Sequence, residues 1–519
     1  MRCFTLLLML SMLLSCNSAP TPRDSTTLRI ATSADPSTLD PRLVRDLPTV
    51  TLLHMLYEGL MRKGFEGKIK PAIAQHVDIS ADLKTYTFTL RDSMWNNGDP
   101  VTAGDFERSW KSVLHTNFNA PNAYQLYPIK GAQAFKKGEV SAEHVGVKAV
   151  DAKTLVVELE KPTPYFLELT TTHFYYPVHA SQNAQQKSDQ IISNGLFNLS
   201  EWKKNNELSF LKNKHYWDAK LVNLESIKVV VLDENTALHL FENKELDWAG
   251  SPMSDIPQDA IQTLRHQEHL HMSPAAGTHW FHFNIANEPF DNANMRKAFA
   301  LAIDRKAIVE NITQGSQKPA TGIVPPVLGL LKNHYFEDNA LTEAWDHFQK
   351  ALVEMGSDID HFSEVTLCYK AGDRSRKIAE AVQQQWEKAF EVRVLLESCE
   401  NKSFYDKLTN HQFQIAAGSW FADFADPINF LEIFKDKNNP TNNTRWGNER
   451  FAELLNQSAM TNSSRERSTL LTEAEGVLMQ EMPVAPLFYS MFNYVKNGAL
   501  YGVYFSELGY LDFKHAYYE

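Results

Sequence analysis

Asp423 and Asp426 stand three residues apart inside GSWFADFADP, residues 418–427, a run otherwise small, apolar or aromatic. A carboxylate in such company loses water and favours its neutral form unless a cation meets it. Three chemistries fit the pair. The two can act as acid and nucleophile of a glycoside hydrolase. Either can pair with a cation of the protein, such as Arg445. Or one can hold the ammonium of a ligand. The α-amino group of a peptide is mostly charged at neutral pH, and in a water-poor cleft that contact would set the ligand's orientation. Asp426 directly precedes Pro427, the pattern of a helix start, so its expected role is to cap a helix over 428–434. Asp423 is then the group that still needs a cation.

His266, His269, His271, His279 and His282 form a second candidate set, because metal ligands often cluster this way. The stretch RHQEHLHM also reads as a solvated helix end running into a strand, and no metal ligand is assigned. The chain holds no Gly-x-Ser-x-Gly, His-Glu-x-x-His, Gly-x-Gly-x-x-Gly or P-loop, so the common hydrolase, zinc-protease and nucleotide signatures are missing. No enzymatic activity and no cofactor are expected.

The first residues, MRCFTLLLMLSMLLSC, place Arg2 before an apolar run over 4–14 that is too short to span a bilayer. They read as a secretory signal over 1–15. Leu13-Leu14-Ser15-Cys16 resembles the bacterial lipobox, with Cys16 carrying the lipid and residues 16–25 forming a Ser-, Thr- and Pro-rich tether. The expected location is the periplasm or cell surface, anchored to the membrane through Cys16. A length of 519 residues predicts two or three lobes, and a net charge of -12 argues against nucleic acid as a partner. Of four cysteines, Cys3 belongs to the signal and Cys16 to the lipid. Cys368 and Cys399 remain, either as a disulfide or as two buried thiols.

Local patterns predict the elements that must position these groups. Residues 28–31 read as a first strand and 49–60 as a helix. Thr85 to Leu90 alternates Thr with apolar residues, the mark of a half-buried strand. Thr102 and Asp105 form a capping box ahead of a helix carrying Phe106, Trp110, Val113 and Leu114 on one side. Residues 145–150 and 154–159 read as a hairpin, and 207–212 and 226–232 as strands. Asp233 caps a helix through Phe241, and Asp304 another through Ile312. HWFHFN is a strand. The order strand 364–369, helix 374–390, strand 392–396 favours a parallel pair.

Four segments resemble, in the expected order, the extracytoplasmic peptide-binding proteins that feed ABC importers, solute-binding family 5. They are TFTLRDSMWNNGDPVTAGDFERSW, ISNGLFNLSEWKKNNELSFLKNKHYWD, PFDNANMRKAFALAIDRKAIVENITQG and GSWFADFADPINFL. The resemblance implies an α/β fold of the two-jaw, three-lobed, type II periplasmic binding-protein kind. The first jaw would be 26–47, 173–279 and 490–519, the inserted lobe 48–172 and the second jaw 280–489. It implies a monomeric receptor that takes peptides or peptide-like solutes between its jaws and hands them to an ABC permease. Asp423 would take the ligand ammonium. Ala417, Gly418, Ser419, Trp420 and Phe421 would pair with its main chain, with Trp420 as a pocket wall. Asp35 would contact it from the other jaw, and His279 and Trp280 would lie at the hinge and cleft. The basic residues that grip the ligand carboxylate in the best-described relatives fall at Ala417, Leu408 and Ser375, and a tryptophan falls at Asn401. Lys370, Arg374, Arg376 and Lys407 are the nearby replacements. A small thiol peptide such as glutathione, or a nickel or metal chelate, is the alternative ligand.

Overall fold

The computed structural model describes residues 24–182, 191–359, 362, 364–461 and 463–519. The signal sequence and Cys16 lie outside the described residues. One mixed sheet runs through the molecule. Its strands lie in the order Val394–Cys399, Val365–Lys370, Ile415–Phe421, His271–Phe283, Val484–Lys496, Trp248–Gly250, Thr27–Thr32, Ser226–Val231, Glu207–Lys212 and Phe197–Lys203. Strands from the second half of the chain occupy one end and strands from the first half the other. The two halves meet on two long strands, His271–Phe283 and Val484–Lys496, which pair antiparallel with each other. Their register shifts between Pro274 and Thr278 and again between His279 and Trp280. Such irregularities bend and twist a strand pair locally, here at the junction of the two ends of the sheet.

The inserted part of the chain forms its own antiparallel sheet, Ala74–Ile79, Thr85–Leu90, Thr154–Glu158 and Val147–Ala149. The helix Ala103–Leu114 packs Phe106 and Trp110 into that lobe's core. The Asp105 carboxylate accepts from the Thr102 N–H at 2.8 Å, so the expected capping box is present. Asp233 caps Glu234–Glu242, and Asp304 caps Arg305–Ile308, which continues as a π-turn over Val309–Thr313. Val365–Lys370 and Val394–Cys399 pair in parallel around the helix Asp373–Phe390, as the order of elements predicts. The first helix is Leu47–Leu56 and stops four residues before the expected end.

Buried charge fastens the inserted lobe to the rest. Arg62 pairs with Glu58 at 2.8 Å and with Asp512, and Lys63 pairs with Glu168 at 2.9 Å and with Glu507. In the second half, Glu475 is fully buried on the helix Ser464–Glu481. It accepts from the backbone N–H groups of Ile323 and Val324 at 2.7 and 2.8 Å and from the Tyr335 hydroxyl at 2.8 Å. Ile323 in turn accepts from the Thr278 hydroxyl at 2.8 Å, on one of the shared strands.

Burial pushes the Glu475 carboxyl up to about 7, against the pull of its three donors. The fold therefore binds that proton more tightly than the unfolded chain. Its contribution is fully present below the usual carboxyl range and is lost as pH rises through about 7. The expected outcome is that the thermal midpoint of wild type relative to Glu475→Gln falls between pH 4.5 and 7, by the equivalent of about 3 kcal/mol. Parallel midpoint–pH profiles for the two proteins would contradict it.

Candidate functional site

The strand Ile415–Phe421 has partners on one side along its whole length and on the other side at its start only. It pairs antiparallel with His271–Phe283, from Phe283↔Ile415 to Gly277↔Phe421. Val365–Lys370 meets it in parallel at Ile415 and Ala416 and then diverges. The Ala422 N–H donates to the Ala276 carbonyl at 2.8 Å and the Asn284 N–H to the Gln414 carbonyl at 3.0 Å. Antiparallel alternation between those two bonds turns the even-numbered residues toward the long strand. Ala417, Ser419 and Phe421 turn their N–H and C=O groups the other way, where no strand pairs with them among the described residues.

Close packing beneath this edge explains two glycines. A Cβ on Gly418 would lie 2.3 Å from His282 Nε2, and one on Gly277 2.5 Å from the Phe421 ring. Trp280 is 1 % exposed and its indole N–H lies 3.2 Å from His282 Nε2. The expectation that Trp280 lines the cleft is therefore corrected. It is core, wedged under the edge strand and against Phe430. His279 faces the opposite side, stacked on Phe488 at 4.6 Å and edge-on to Phe421 at 6.0 Å. Burial, with help from Arg374, lowers its pKa to about 4, so it is neutral near pH 7.

The two aspartates separate cleanly. Asp426 receives both guanidinium nitrogens of Arg467 at 2.7 Å each and accepts from the Ile428 N–H at 2.9 Å. It holds the start of the helix Ile428–Leu431, as expected, through the first helical N–H from just ahead of the N-cap Pro427, and its cation belongs to the protein. Arg467 also lies over the Tyr165 ring of the inserted lobe, which stacks on Phe424 at 5.1 Å. Asp423 has no ion pair among the described residues. Arg445, the protein cation considered for it, is exposed and lies near His411 instead. The Tyr124 hydroxyl donates to Asp423 Oδ2 at 3.0 Å from the inserted lobe. Asn429 Oδ1 receives the Asp423 N–H at 3.2 Å and the Trp420 indole N–H at 2.8 Å, which fixes the turn. Gln125 lies close enough to favour the ionised carboxylate, but its buried Nε2 makes no hydrogen bond. Desolvation outweighs these donors and raises the Asp423 pKa. The side chain is half-buried yet crowded by protein.

Arg374 is in a similar position. Its guanidinium stands 5.9 Å from the Phe488 ring, and crowding lowers its pKa against the pull of Asp255 from the first half of the chain. Water still reaches it, and no ion pair holds it among the described residues. The other replacement cations are spoken for or remote. Arg376 pairs with Asp373 and Glu380 on an exposed helix face, Lys407 pairs with Glu397, and Lys370 is exposed. Leu408 is buried under its own helix, while Ser375 is half-buried. Asp35 is engaged within its own lobe, accepting from the Trp202 indole at 3.3 Å and the Asn205 N–H at 2.7 Å. The histidines do not converge. His266 ends the helix Ala260–His266, and His271 to His282 spread along one strand, roughly 35 Å at strand rise. Among the described residues no three of them bring their ring nitrogens together as metal ligands would. Sequence reasoning missed Tyr124, Gln125, Asn429 and Arg467. Tyr124 is 299 positions from Asp423, and nothing local marks the contact.

The model of the bacterial extracellular solute-binding proteins, family 5, matches residues 68–442. The chain belongs to that family. It is 41% identical over 509 residues to the oligopeptide-binding protein OppA of Bacillus subtilis, covering 96% of this chain and 93% of the relative. The unliganded open form of the murein tripeptide-binding protein MppA of Escherichia coli superposes with a TM-score of 0.82 at 27% identity, over 96% of this chain and 98% of MppA. Listeria monocytogenes OppA bound to peptide superposes with a TM-score of 0.73 at 26% identity, over 96% and 99%. The shared two-jaw fold is the expected one.

Asp426 and Arg467 make a structural pair, so breaking it should cost stability. Removing one partner of a buried ion pair strands the other charge. Asp426→Asn is expected to lower unfolding stability by about 3 kcal/mol, read from denaturant or thermal melts. A melt within experimental scatter of wild type would show the pair to be dispensable.

Proposed function

We propose that the protein is a peptide receptor of an ABC importer, with Asp423 as the seat of the ligand's ammonium. One observation carries this reading. A desolvated carboxylate with only neutral donors sits at the end of a strand whose outer backbone groups are unpaired. An extended peptide supplies both missing partners, a cation at its start and a ladder of N–H and C=O groups along its length. Every peptide has these groups, so affinity does not require reading side chains. The relatives' names fit this class of ligand.

The jaws are 26–47 with 173–279 and 490–519 on one side and 280–489 on the other, with 48–172 inserted. They close by bending the two shared strands, and the closed form is delivered to the permease. Cys16 holds the receptor by lipid at the outer face of a membrane, in the periplasm or at the cell surface. The receptor works as a monomer without cofactor or catalysis. Asp35 and His279 border the ligand, and Ala417, Ser419 and Phe421 pair with its backbone. Gly418 allows the close packing beneath, and Trp420 supplies wall. Arg374 takes the carboxylate of short ligands, since it stands beside Phe488, crowded by protein yet reached by water, with no ion pair among the described residues.

Asp423→Ala is expected to weaken binding of a free peptide by about 2–5 kcal/mol. Calorimetry with the N-acetylated peptide should show a similar loss on wild type and little further loss on the variant. Equal sensitivity of both proteins to acetylation would remove Asp423 from the ammonium site. Affinity should also fall as pH drops through the raised Asp423 pKa, and fall again above about 8 as the ligand amine loses its proton. For Arg374→Gln, the loss should be large for short peptides with a free carboxylate and absent for their amides. The length at which amidation ceases to matter measures the span from Asp423 to Arg374. An identical response to acid and amide would exclude Arg374.

A further inference from the structure

Cys368 and Cys399 are free thiols with their sulfurs 3.4 Å apart. They project from neighbouring parallel strands onto an apolar floor of Phe404, Leu408, Phe413 and Ala416. Glu397 lies at the rim, 40% exposed, paired with Lys407. One donor atom from each of Cys368, Cys399 and Glu397 lies within 4.8 Å of the others, a convergence of the kind the histidines lack.

The register says how such a pair can be bridged. Cys368 stands opposite Glu397, and Cys399 opposite Lys370, so the two cysteines are offset by two residues across the strand pair. Strand spacing and rise put their Cα atoms about 8 Å apart. That exceeds the reach of a disulfide, which needs Cα atoms within about 7 Å. A tetrahedral metal bridge spans more. With metal–sulfur bonds of about 2.3 Å it holds two sulfurs roughly 3.8 Å apart, close to the separation already present. The third donor completes the pattern. A carboxylate beside two sulfurs has no part in a disulfide, but it is an ordinary third ligand for a borderline-soft ion, with the fourth position open to water.

We infer that Cys368, Cys399 and Glu397 form a binding site for one thiophilic divalent cation of the zinc class. Binding exchanges two S–H bonds for two metal–sulfur bonds and releases two protons, with no change in oxidation state. Lys407 remains beside Glu397 and offsets the excess negative charge of two thiolates and a carboxylate around a divalent ion. The place matters for the rest of the molecule. Cys368 is the last residue of its strand to pair with the edge strand, at Ala416, where the unpaired edge begins. An ion there would tie two strands together at the inner end of the groove.

The test uses the mature protein, reduced and titrated anaerobically with cadmium(II), whose thiolate charge-transfer absorption reports the bond directly. One equivalent with two protons released is expected. Both signals should vanish in Cys368→Ser and in Cys399→Ser, with melting curves of the metal-free proteins showing that the variants are folded. Glu397→Gln, a change at the half-exposed rim, should weaken binding at least tenfold while keeping the absorption. No absorption in reduced wild type, or binding that survives the double cysteine variant, would overturn the site. So would a Cys368–Cys399 disulfide in protein isolated from its own compartment.

Discussion

A backbone group withdrawn from water must find a partner, and the strand Ile415–Phe421 finds its partners mostly on one side. Much of the molecule follows from that asymmetry. The long neighbour His271–Phe283 cannot move away, because it is the spine of the sheet and is held by Val484–Lys496 behind it. Trp280 and His282 are clamped under Gly418, so the edge cannot curl inward to satisfy itself. The Asn429 side chain then turns the chain sharply at Asp423, which prevents the strand from running on into a new pair. An edge kept rigid, straight and unpaired is an aggregation hazard unless it is covered. Here the Tyr124 hydroxyl and the Tyr165 ring of the inserted lobe stand against its far end, at Asp423 and Phe424.

The electrostatics repeats this asymmetry at the next level. Two carboxylates of one short turn meet opposite fates because a single arginine is placed to serve one of them. Arg467 arrives on the helix Ser464–Glu481, whose own buried carboxylate, Glu475, fixes the loop at 323–324. The same helix therefore neutralises Asp426 and braces the ground next to the shared strands, while Asp423 is met by neutral dipoles, from the inserted lobe and from Asn429. Dipoles without a full charge hold a carboxylate in place but leave its preference for a cation unspent.

Chain-local chemistry was legible in the sequence. The alternation of Thr85–Leu90, the Thr102–Asp105 box, the caps at Asp233 and Asp304 and the role of Asp426 all depend on neighbours a few residues away. The family resemblance located the edge strand. What distance hid is of two kinds. Partners far along the chain, Arg467 for Asp426 and Tyr124 for Asp423, have no local signature. Val484–Lys496 escaped because it is buried almost throughout and shows no alternation, so its apolar run could equally have been a core helix. Trp280 misled for another reason: its place was implied by the resemblance, which does not say which face of the strand the side chain takes.

The chain closes on itself late. Thr27–Thr32 sits between Ser226–Val231 and Trp248–Gly250, and the latter pairs with the end of Val484–Lys496. The final segment then reaches back, with the Leu511 N–H on the Thr51 hydroxyl at 3.1 Å, Asp512 on Arg62 and Lys514 on Asp218 at 2.6 Å. Arg62 and Lys63, already paired with Glu58 and Glu168, thus gain their second partners only when residues 507–512 arrive. The first lobe therefore completes its packing only when the last segment is in place. Closure of this sort makes the C-terminal dozen residues a poor place for a fusion tag.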